Sequence, residues 1–108
     1  MLDIAICDDD NSFAGGLEKT LCRMEKTYGL KFEIDVYQDG CSLVKEVMSG
    51  KRYDIICMDI QMREMDGVEA ARQIRKLDRV VELIYVTSYD SYMKEVFEVT
   101  PSGFIVKP

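Results

Sequence analysis

The sequence contains no histidine, and this absence excludes several kinds of site. Catalytic Ser-His-Asp and Cys-His arrangements need an imidazole as general base, and many metal sites use imidazole nitrogens as ligands. Any chemistry must therefore use carboxylates, lysines or hydroxyls, together with a metal ion bound through oxygen atoms if an ion takes part.

Long apolar runs are also missing. No run approaches the roughly 18 residues that a membrane-spanning helix needs, and the first four residues lack the basic region and apolar stretch of a secretory signal. We therefore expect a cytoplasmic chain. Its 108 residues suffice for one compact domain but not for two.

The sequence has neither an excess of positive charge nor closely spaced cysteines. Its net charge is -6, and an acidic domain repels the phosphates of nucleic acids, so we do not expect this chain alone to bind DNA. None of the four cysteines belongs to a C-x-x-C pair, and Cys7 and Cys57 lie inside apolar runs. We interpret the cysteines as reduced, small apolar residues.

The sequence does contain an alternation of strand-like and helix-like segments. Continuous apolar runs, typical of strands buried on both faces of a parallel sheet, extend over Leu2 to Cys7, Ile55 to Met58, Leu83 to Val86 and Phe104 to Val106. The segment from Phe32 to Tyr37 alternates between apolar residues and Glu33, Asp35 and Tyr37 instead. This alternation predicts an edge strand with one wetter side.

Amphipathic stripes between these runs predict helices. The stripes are Phe13, Leu17, Leu21, Met24 and Tyr28; Leu43, Val44, Val47 and Met48, ending at Gly50; Val68, Ala71, Ile74 and Leu77; and Met93, Val96 and Phe97, stopped by Pro101. Asn11 or Ser12 is the expected cap of the first helix, and Gly29 its expected end. The alternation predicts an α/β fold with a doubly wound, five-stranded parallel sheet. The flavodoxin-like order 2-1-3-4-5 would place the alternating strand at an edge.

Carboxylates follow two strands that are neighbours in this order. The first strand is followed by Asp8, Asp9 and Asp10, and the third by Asp59. Clustered carboxylates repel one another unless a cation lies among them. A hard divalent ion such as Mg2+, which prefers oxygen ligands, is the natural partner.

Hydroxyl and ammonium groups follow the remaining two strands. Thr87 and Ser88 come at the end of the fourth strand, and Lys107 follows the fifth. A lysine ammonium is suited to a phosphoryl oxygen. A carboxylate nucleophile, a metal ion, a hydroxyl and a lysine at one end of a sheet predict a phosphoryl-transfer site, where catalysis is mainly positioning and charge neutralisation.

Four segments resemble the signatures of response-regulator receiver domains, in the order of that family. They are I-A-I-C-D-D-D, I-I-C-M-D-I-Q-M-R-E-M-D-G, L-I-Y-V-T-S and G-F-I-V-K-P. The resemblance implies transfer of a phosphoryl group from the phosphohistidine of a sensor histidine kinase to Asp59. It also implies a Mg2+ ion held by Asp8, Asp9, Asp59 and the main-chain carbonyl of Gln61, with Asp9 as a direct ligand and Asp8 bound through water.

The resemblance implies roles for further residues. Thr87 would bond the phosphoryl group and move toward it, Phe104 occupies the position of the family's switching aromatic residue, and Lys107 that of its invariant lysine. Ser88 stands where many relatives have alanine, so its bulk would restrict access to the phosphoryl group. Arg63 replaces a proline that is usual in the family, which makes the loop less rigid and adds a cation.

The segment from Ser88 to Val99 resembles receivers that precede LytTR-type DNA-binding domains. This resemblance implies control of transcription through an effector domain outside the chain, and a homodimer through the face of the fourth helix and fifth strand. The family places one more helix after the fifth strand. We therefore expect a receiver domain over residues 1–108 that is truncated before that helix.

Two alternatives belong to other functional classes. Asp8-x-Asp10 resembles the nucleophile and acid of haloacid-dehalogenase-type phosphatases, although position 12 is serine and no late acidic pair follows Lys107. A receiver-like interaction module that takes no phosphate is supported only by Arg63 and Ser88. A flavin-binding flavodoxin would need a hydroxyl- and glycine-rich loop where this chain is acidic. We expect no enzyme activity beyond the domain's own phosphorylation and dephosphorylation.

Overall fold

A computed structural model of the chain describes residues 1–62, 65–87 and 102–107. In chain order these ranges form β1 (Leu2–Cys7), α1 (Asn11–Tyr28), β2 (Phe32–Tyr37), α2 (Gly40–Met48), β3 (Ile55–Met58), α3 (Gly67–Leu77), β4 (Glu82–Thr87) and β5 (Gly103–Val106). The predicted fourth helix with Met93, Val96 and Phe97 lies outside the described residues, as do Arg63 and Ser88.

The strands form one parallel sheet in the order β2-β1-β3-β4-β5, which confirms the predicted topology. The apolar runs of β1 and β3 suit the interior of the sheet because both of their faces are covered. The alternating strand β2 lies at an edge, as predicted, and none of its residues is fully buried. The predicted bounds of β1, β2 and β3 agree with the structure, whereas β4 extends one residue further at each end and β5 begins one residue earlier.

The main hydrophobic core lies between the sheet and the helices α2 and α3. Its fully buried members include Ala5, Leu43, Val44, Val47, Ile56, Met58, Val68, Ala71, Ile74 and Leu83. Two predicted stripe members are not part of it, since Met48 is 67% exposed and Leu77 is 44% exposed. Each is the last residue of its helix, and α2 ends at Met48 with Ser49 as its cap, before Gly50.

The opposite face of the sheet is covered less completely. The strand registers place Ile6, Val36, Cys57 and Ile84 side by side on this face. Only Ala14 of α1 is fully buried. Met24 and Tyr28 are exposed, so the predicted stripe of α1 was wrong at these two positions.

The prediction that Phe104 to Val106 would be buried on both faces was also wrong. β5 is the outer strand of the sheet, and Ile105 and Val106 are each 54% exposed. An outer strand has a neighbour on one side only, so a continuous apolar run does not ensure burial there. Phe104 is half-buried and packs against the main core.

The start of α1 differs from the prediction. Asp10, and not Asn11 or Ser12, is the N-cap, because its side chain accepts a hydrogen bond from the backbone N–H of Phe13 at 3.1 Å. The helix ends at Gly29 as predicted, with this glycine in the left-handed conformation at φ 66°. No helix within the described ranges has both the length and the apolar character needed to cross a membrane.

The four cysteines are free, and their environments differ. Burial raises the pKa of Cys57 to about 11. Burial, with a further contribution from the negative charge of Asp39, raises the pKa of Cys7 to about 12. These two thiols behave as the apolar residues that we expected, whereas Cys22 is exposed.

Candidate functional site

An acidic pocket, formed by Asp8, Asp9 and Asp59, lies at the carboxyl ends of β1 and β3. The backbone N–H of Asp8 donates to the carbonyl of Tyr37 at 2.9 Å, and that of Asp59 donates to the carbonyl of Cys7 at 2.9 Å. The pairing of the sheet therefore continues one residue past each strand. This continuation brings the side chains of residues 51 positions apart in the sequence into one pocket.

The carboxylates of the acidic pocket are close together and little exposed. One oxygen from each of the three lies within 4.8 Å of the others. Asp8 is 2% exposed and Asp59 is 6% exposed, and Asp9 is half-buried. Burial raises the pKa of Asp8, although hydrogen bonds from the Asp10 backbone and from Lys107 act in the opposite direction. Concentrated negative charge in this pocket favours a cation.

Lys107 supplies one such cation from the position after β5. Its Nζ lies 2.9 Å from Oδ2 of Asp8 and 3.3 Å from Oδ2 of Asp59. Burial on its own lowers the pKa of Lys107, but the hydrogen bond to Asp8 and the charge of Asp59 outweigh it, so that the pKa is raised. The ammonium therefore stays protonated and offsets part of the charge of the two buried carboxylates.

The other predicted site residues lie around this pocket or outside the described residues. The backbone N–H of the exposed Gln61 donates to Oδ1 of Asp59 at 3.3 Å. Thr87 is the last residue of β4, and its backbone pairs with Val106, but its side chain is outside the described part of the chain. Phe104 packs against the core on the side of α2 and α3. The structure thus brings together Asp8, Asp9, Asp59 and Lys107.

Gly67 is a site residue for which the sequence analysis gave no role. A Cβ at this position would lie 2.0 Å from the carbonyl oxygen of Asp59 and 2.9 Å from the Cα of Ile60. The backbone N–H of Gly67 also donates to the carbonyl of Ile60 at 2.7 Å. The start of α3, capped by Asp66, therefore packs directly on the backbone of Asp59. The pair Asp66-Gly67 at the start of a predicted helix was the signal in the sequence.

Phe13 is a second residue whose position the sequence did not reveal. It was assigned only to the apolar stripe of α1, yet the Nζ of Lys107 lies 4.4 Å from the centre of its ring. The ring is half-buried in the first turn of the helix. A spacing of three or four residues predicts which face of a helix is apolar, but not that an ammonium from the end of the chain lies against it.

The sequence profile of the response regulator receiver domain family matches residues 4–108. The chain belongs to this family. The motif resemblance is thereby confirmed, and the acidic pocket is part of a receiver domain, which is a signalling domain.

Two relatives confirm the resemblance to receivers of LytTR-type regulators. The sensory transduction protein LytT of Bacillus anthracis is 31% identical over 108 residues, which are 100% of this chain and 42% of that protein. The transcriptional regulatory protein LytR of Staphylococcus aureus is 30% identical over 96 residues, which are 84% of this chain and 39% of that protein. This receiver domain therefore spans about two-fifths of the relatives' length.

Solved structures confirm the receiver fold. The response regulator TrrA of Thermotoga maritima, in complex with Mg2+-BeF, is 28% identical with a TM-score of 0.84, covering 100% of this chain and 88% of that one. The chemotaxis protein CheY4 of Vibrio cholerae has the same TM-score and coverage at 23% identity. The latter likeness shows the fold alone.

Proposed function

We propose that this receiver domain accepts a phosphoryl group on Asp59 from the phosphohistidine of a sensor histidine kinase. One observation carries the proposal: the Asp59 carboxylate shares a pocket with Asp8 and Asp9 and lies 3.3 Å from the ammonium of Lys107. A carboxylate so placed is a nucleophile with cationic support for the group that it receives.

The proposed transfer needs few groups from the protein. A carboxylate oxygen of Asp59 attacks phosphorus, the P–N bond of the phosphohistidine breaks with its electron pair passing to the imidazole nitrogen, and an acyl phosphate forms on Asp59. The ammonium of Lys107 pairs with the phosphoryl oxygens, and the hydroxyl of Thr87 donates a hydrogen bond to them. Catalysis in such a site is mainly positioning and electrostatic stabilisation.

The residues of the acidic pocket fit Mg2+. The three carboxylates offer the hard oxygen ligands that this ion prefers, with one oxygen from each within 4.8 Å of the others. Asp8, Asp9, Asp59 and the main-chain carbonyl of Gln61 would hold the ion. When bound, it would neutralise negative charge on the carboxylates and on the phosphoryl group.

The proposed output passes from the acidic pocket to the outer strand β5. Phosphorylation draws Thr87 toward the phosphoryl group and biases Phe104 inward, which remodels the predicted face of the fourth helix and fifth strand. This face, with Val106 exposed, is the proposed homodimer contact.

A DNA-binding domain outside this chain would respond to the change. The exposed Ile105 fits the expected further helix on the α1 side of the sheet.

The phosphatase alternative has less support from the geometry. It requires Asp8 as nucleophile, but the oxygens of Asp8 are held by shorter contacts than those of Asp59. The backbone N–H of Asp10 and the ammonium of Lys107 each lie 2.9 Å from an oxygen of Asp8, whereas the N–H of Gln61 and the ammonium of Lys107 lie 3.3 Å from the oxygens of Asp59. The alternative of an interaction module without phosphate leaves the convergence of Asp59, Asp9 and Lys107 without a purpose.

Phosphorylation of the chain by acetyl phosphate, with and without Mg2+, tests the proposal directly. We expect intact-mass spectrometry to detect one added phosphoryl group that depends on Mg2+, and Asp59→Asn to abolish it. Asp54→Asn, which changes an exposed carboxylate at the other end of β3, is the matched control and should label like the wild type. Labelling of Asp59→Asn on Asp8 or Asp10 would favour the phosphatase alternative. An unlabelled wild type would contradict phosphate acceptance altogether.

A further inference from the structure

Lys107 has a third partner besides the two buried carboxylates. Its Nζ lies 4.4 Å from the centre of the Phe13 ring, well within the roughly 6 Å over which a cation is attracted to an aromatic face. The backbone N–H of Phe13 donates to the capping side chain of Asp10, which fixes the backbone of the first turn of α1 from which the ring projects. The aspartate cap that starts α1 therefore places Phe13 next to the acidic pocket.

We propose that Phe13 is a positioning residue for Lys107: the face of its ring holds the ammonium where the phosphoryl oxygens arrive. This inference rests on the proposed function above. The other two partners of Lys107, Asp8 and Asp59, are the carboxylates that would take part in metal binding and phosphoryl transfer. The contact with the Phe13 ring does not involve the oxygens of Asp8 or Asp59. It therefore keeps Lys107 in place when those oxygens bind a metal ion or take part in phosphoryl transfer.

An electrostatic role for the ring follows from the burial of the lysine. The side chain of Lys107 is 13% exposed, so its ammonium has lost most of its contact with water. The attraction of a cation to an aromatic face increases when the cation is desolvated. An aliphatic side chain at position 13 would fill similar space but would not attract the ammonium. The distinction between filling space and attracting charge can be measured.

Stepwise fluorination of the Phe13 ring separates these two contributions. Replacement with mono-, di- and trifluorophenylalanine keeps the shape of the ring nearly constant while it weakens the negative potential of its face. We expect the rate of Asp59 phosphorylation by acetyl phosphate to fall stepwise, reaching roughly fivefold when the attraction is lost, the fold-change that corresponds to about 1 kcal/mol. Phe13→Leu should show the full loss, and Phe13→Tyr, which keeps an electron-rich ring, should retain the rate.

A measurement without a phosphodonor tests the contact itself. The ε-methylene protons of Lys107 should show an upfield ring-current shift in NMR spectra of the wild type. This shift should decrease along the fluorinated series and disappear in Phe13→Leu. Fluorination of Phe32, which pairs with Leu2 at the opposite end of the sheet, is the matched control and should leave both the rate and the Lys107 shift unchanged.

The outcomes separate this inference from the proposed function. Phosphorylation rates that stay constant through the Phe13 series and Phe13→Leu, or that fall equally in the Phe32 series, would overturn the role of Phe13 and leave Asp59 as the acceptor. Absence of the upfield Lys107 shift in the wild type would also overturn it. A wild type that takes no phosphate would overturn both proposals. Thermal melts of every variant verify that the compared chains are folded.

Discussion

The two ends of the sheet use the same kind of side chain in opposite ways. At the carboxyl ends of the strands, Asp8 and Asp59 are buried and share the ammonium of Lys107. At the amino ends, Asp54 is exposed and Asp78 is half-buried, and both side chains accept hydrogen bonds from backbone N–H groups. Aspartate is therefore part of the scaffold at one end and part of the candidate site at the other.

The amino-end carboxylates accept hydrogen bonds that the backbone would otherwise lack. Oδ2 of Asp54 accepts from the N–H of Asp3 at 2.8 Å, and Oδ1 of Asp78 accepts from the N–H groups of Val80 and Val81 at 2.9 and 3.2 Å. Such contacts satisfy donors near the ends of helices and strands and stabilise the fold.

The carboxyl-end pair is arranged differently, and the difference indicates function. Asp8 and Asp59 place their carboxylates beside each other out of water, and burial raises the pKa of Asp8. Charges placed against their own preference are found mostly where binding or catalysis uses them. Burial and charge pairing therefore mark Asp8 and Asp59 as candidate site residues.

Removal of the lysine should have the largest effect on stability. Lys107→Met leaves Asp8 and Asp59 buried without their ammonium, and breaking such a pair costs about 3 kcal/mol. We expect the free energy of unfolding, measured by urea denaturation without divalent ions, to fall by about that amount. Added Mg2+ should restore part of it, because an ion in the pocket replaces the missing charge.

The double variant Lys107→Met, Asp8→Asn is one control, and the pH dependence of the free energy of unfolding is a second. Asp8→Asn removes one of the two unpaired charges, so the double variant should be more stable than Lys107→Met alone.

In the folded chain the pKa of Asp8 lies above its ordinary 3.8 because of burial, so folded chains bind a proton that unfolded chains do not in the interval between the two values. Stability therefore falls as pH rises through that interval, and more steeply without Lys107. Equal stability of wild type and Lys107→Met at neutral pH would contradict the claim that the buried carboxylates at the carboxyl end depend on Lys107.

An added methyl group beneath Asp59 should have the next largest effect. Gly67→Ala places a Cβ at 2.0 Å from the carbonyl oxygen of Asp59, and overpacking of this kind costs about 1–3 kcal/mol. We expect lower stability together with slower phosphorylation, because the backbone of the proposed acceptor must shift. Gly16→Ala is the matched control, since nothing lies within 4 Å of its Cβ and alanine in a helix is favoured by about 1 kcal/mol. Equal melting temperatures of the two variants would contradict tight packing of α3 on Asp59.

Much of the fold could be predicted because a continuous run of apolar residues indicates a strand buried in a parallel sheet. Ile55 to Met58 forms a strand with the predicted bounds, and the alternation in β2 correctly marked an edge. The same signal failed for Ile105 and Val106, because an apolar run does not reveal whether a strand has a neighbour on each side. The cap of α1 was misplaced for a local reason: aspartate, asparagine and serine are about equally good caps, and the sequence offers all three in succession.

The proximity of the candidate site residues could be predicted where it depends on a residue's position at the end of a strand. Asp8, Asp59 and Lys107 each follow a strand, and parallel topology brings the ends of such strands together. Gly67 and Phe13 were missed because their roles depend on contacts between α3 and β3 and between α1 and the end of β5. Neither contact follows from a periodic pattern within one segment.

The smallest expected effect concerns the amino end of the sheet and tests whether the two ends are independent. Asp78→Ala removes the acceptor for the N–H groups of Val80 and Val81, and loss of such a contact costs about 1 kcal/mol. Asp78→Asn keeps a side-chain oxygen at that position, so it should lose much less stability in urea denaturation. Neither variant should change the rate at which acetyl phosphate modifies Asp59, because Asp78 does not contribute to the pocket. A slower reaction in Asp78→Ala at a temperature where the chain is fully folded would mean that the amino end also shapes the site. In that case the division between scaffold aspartates and candidate site aspartates would not hold.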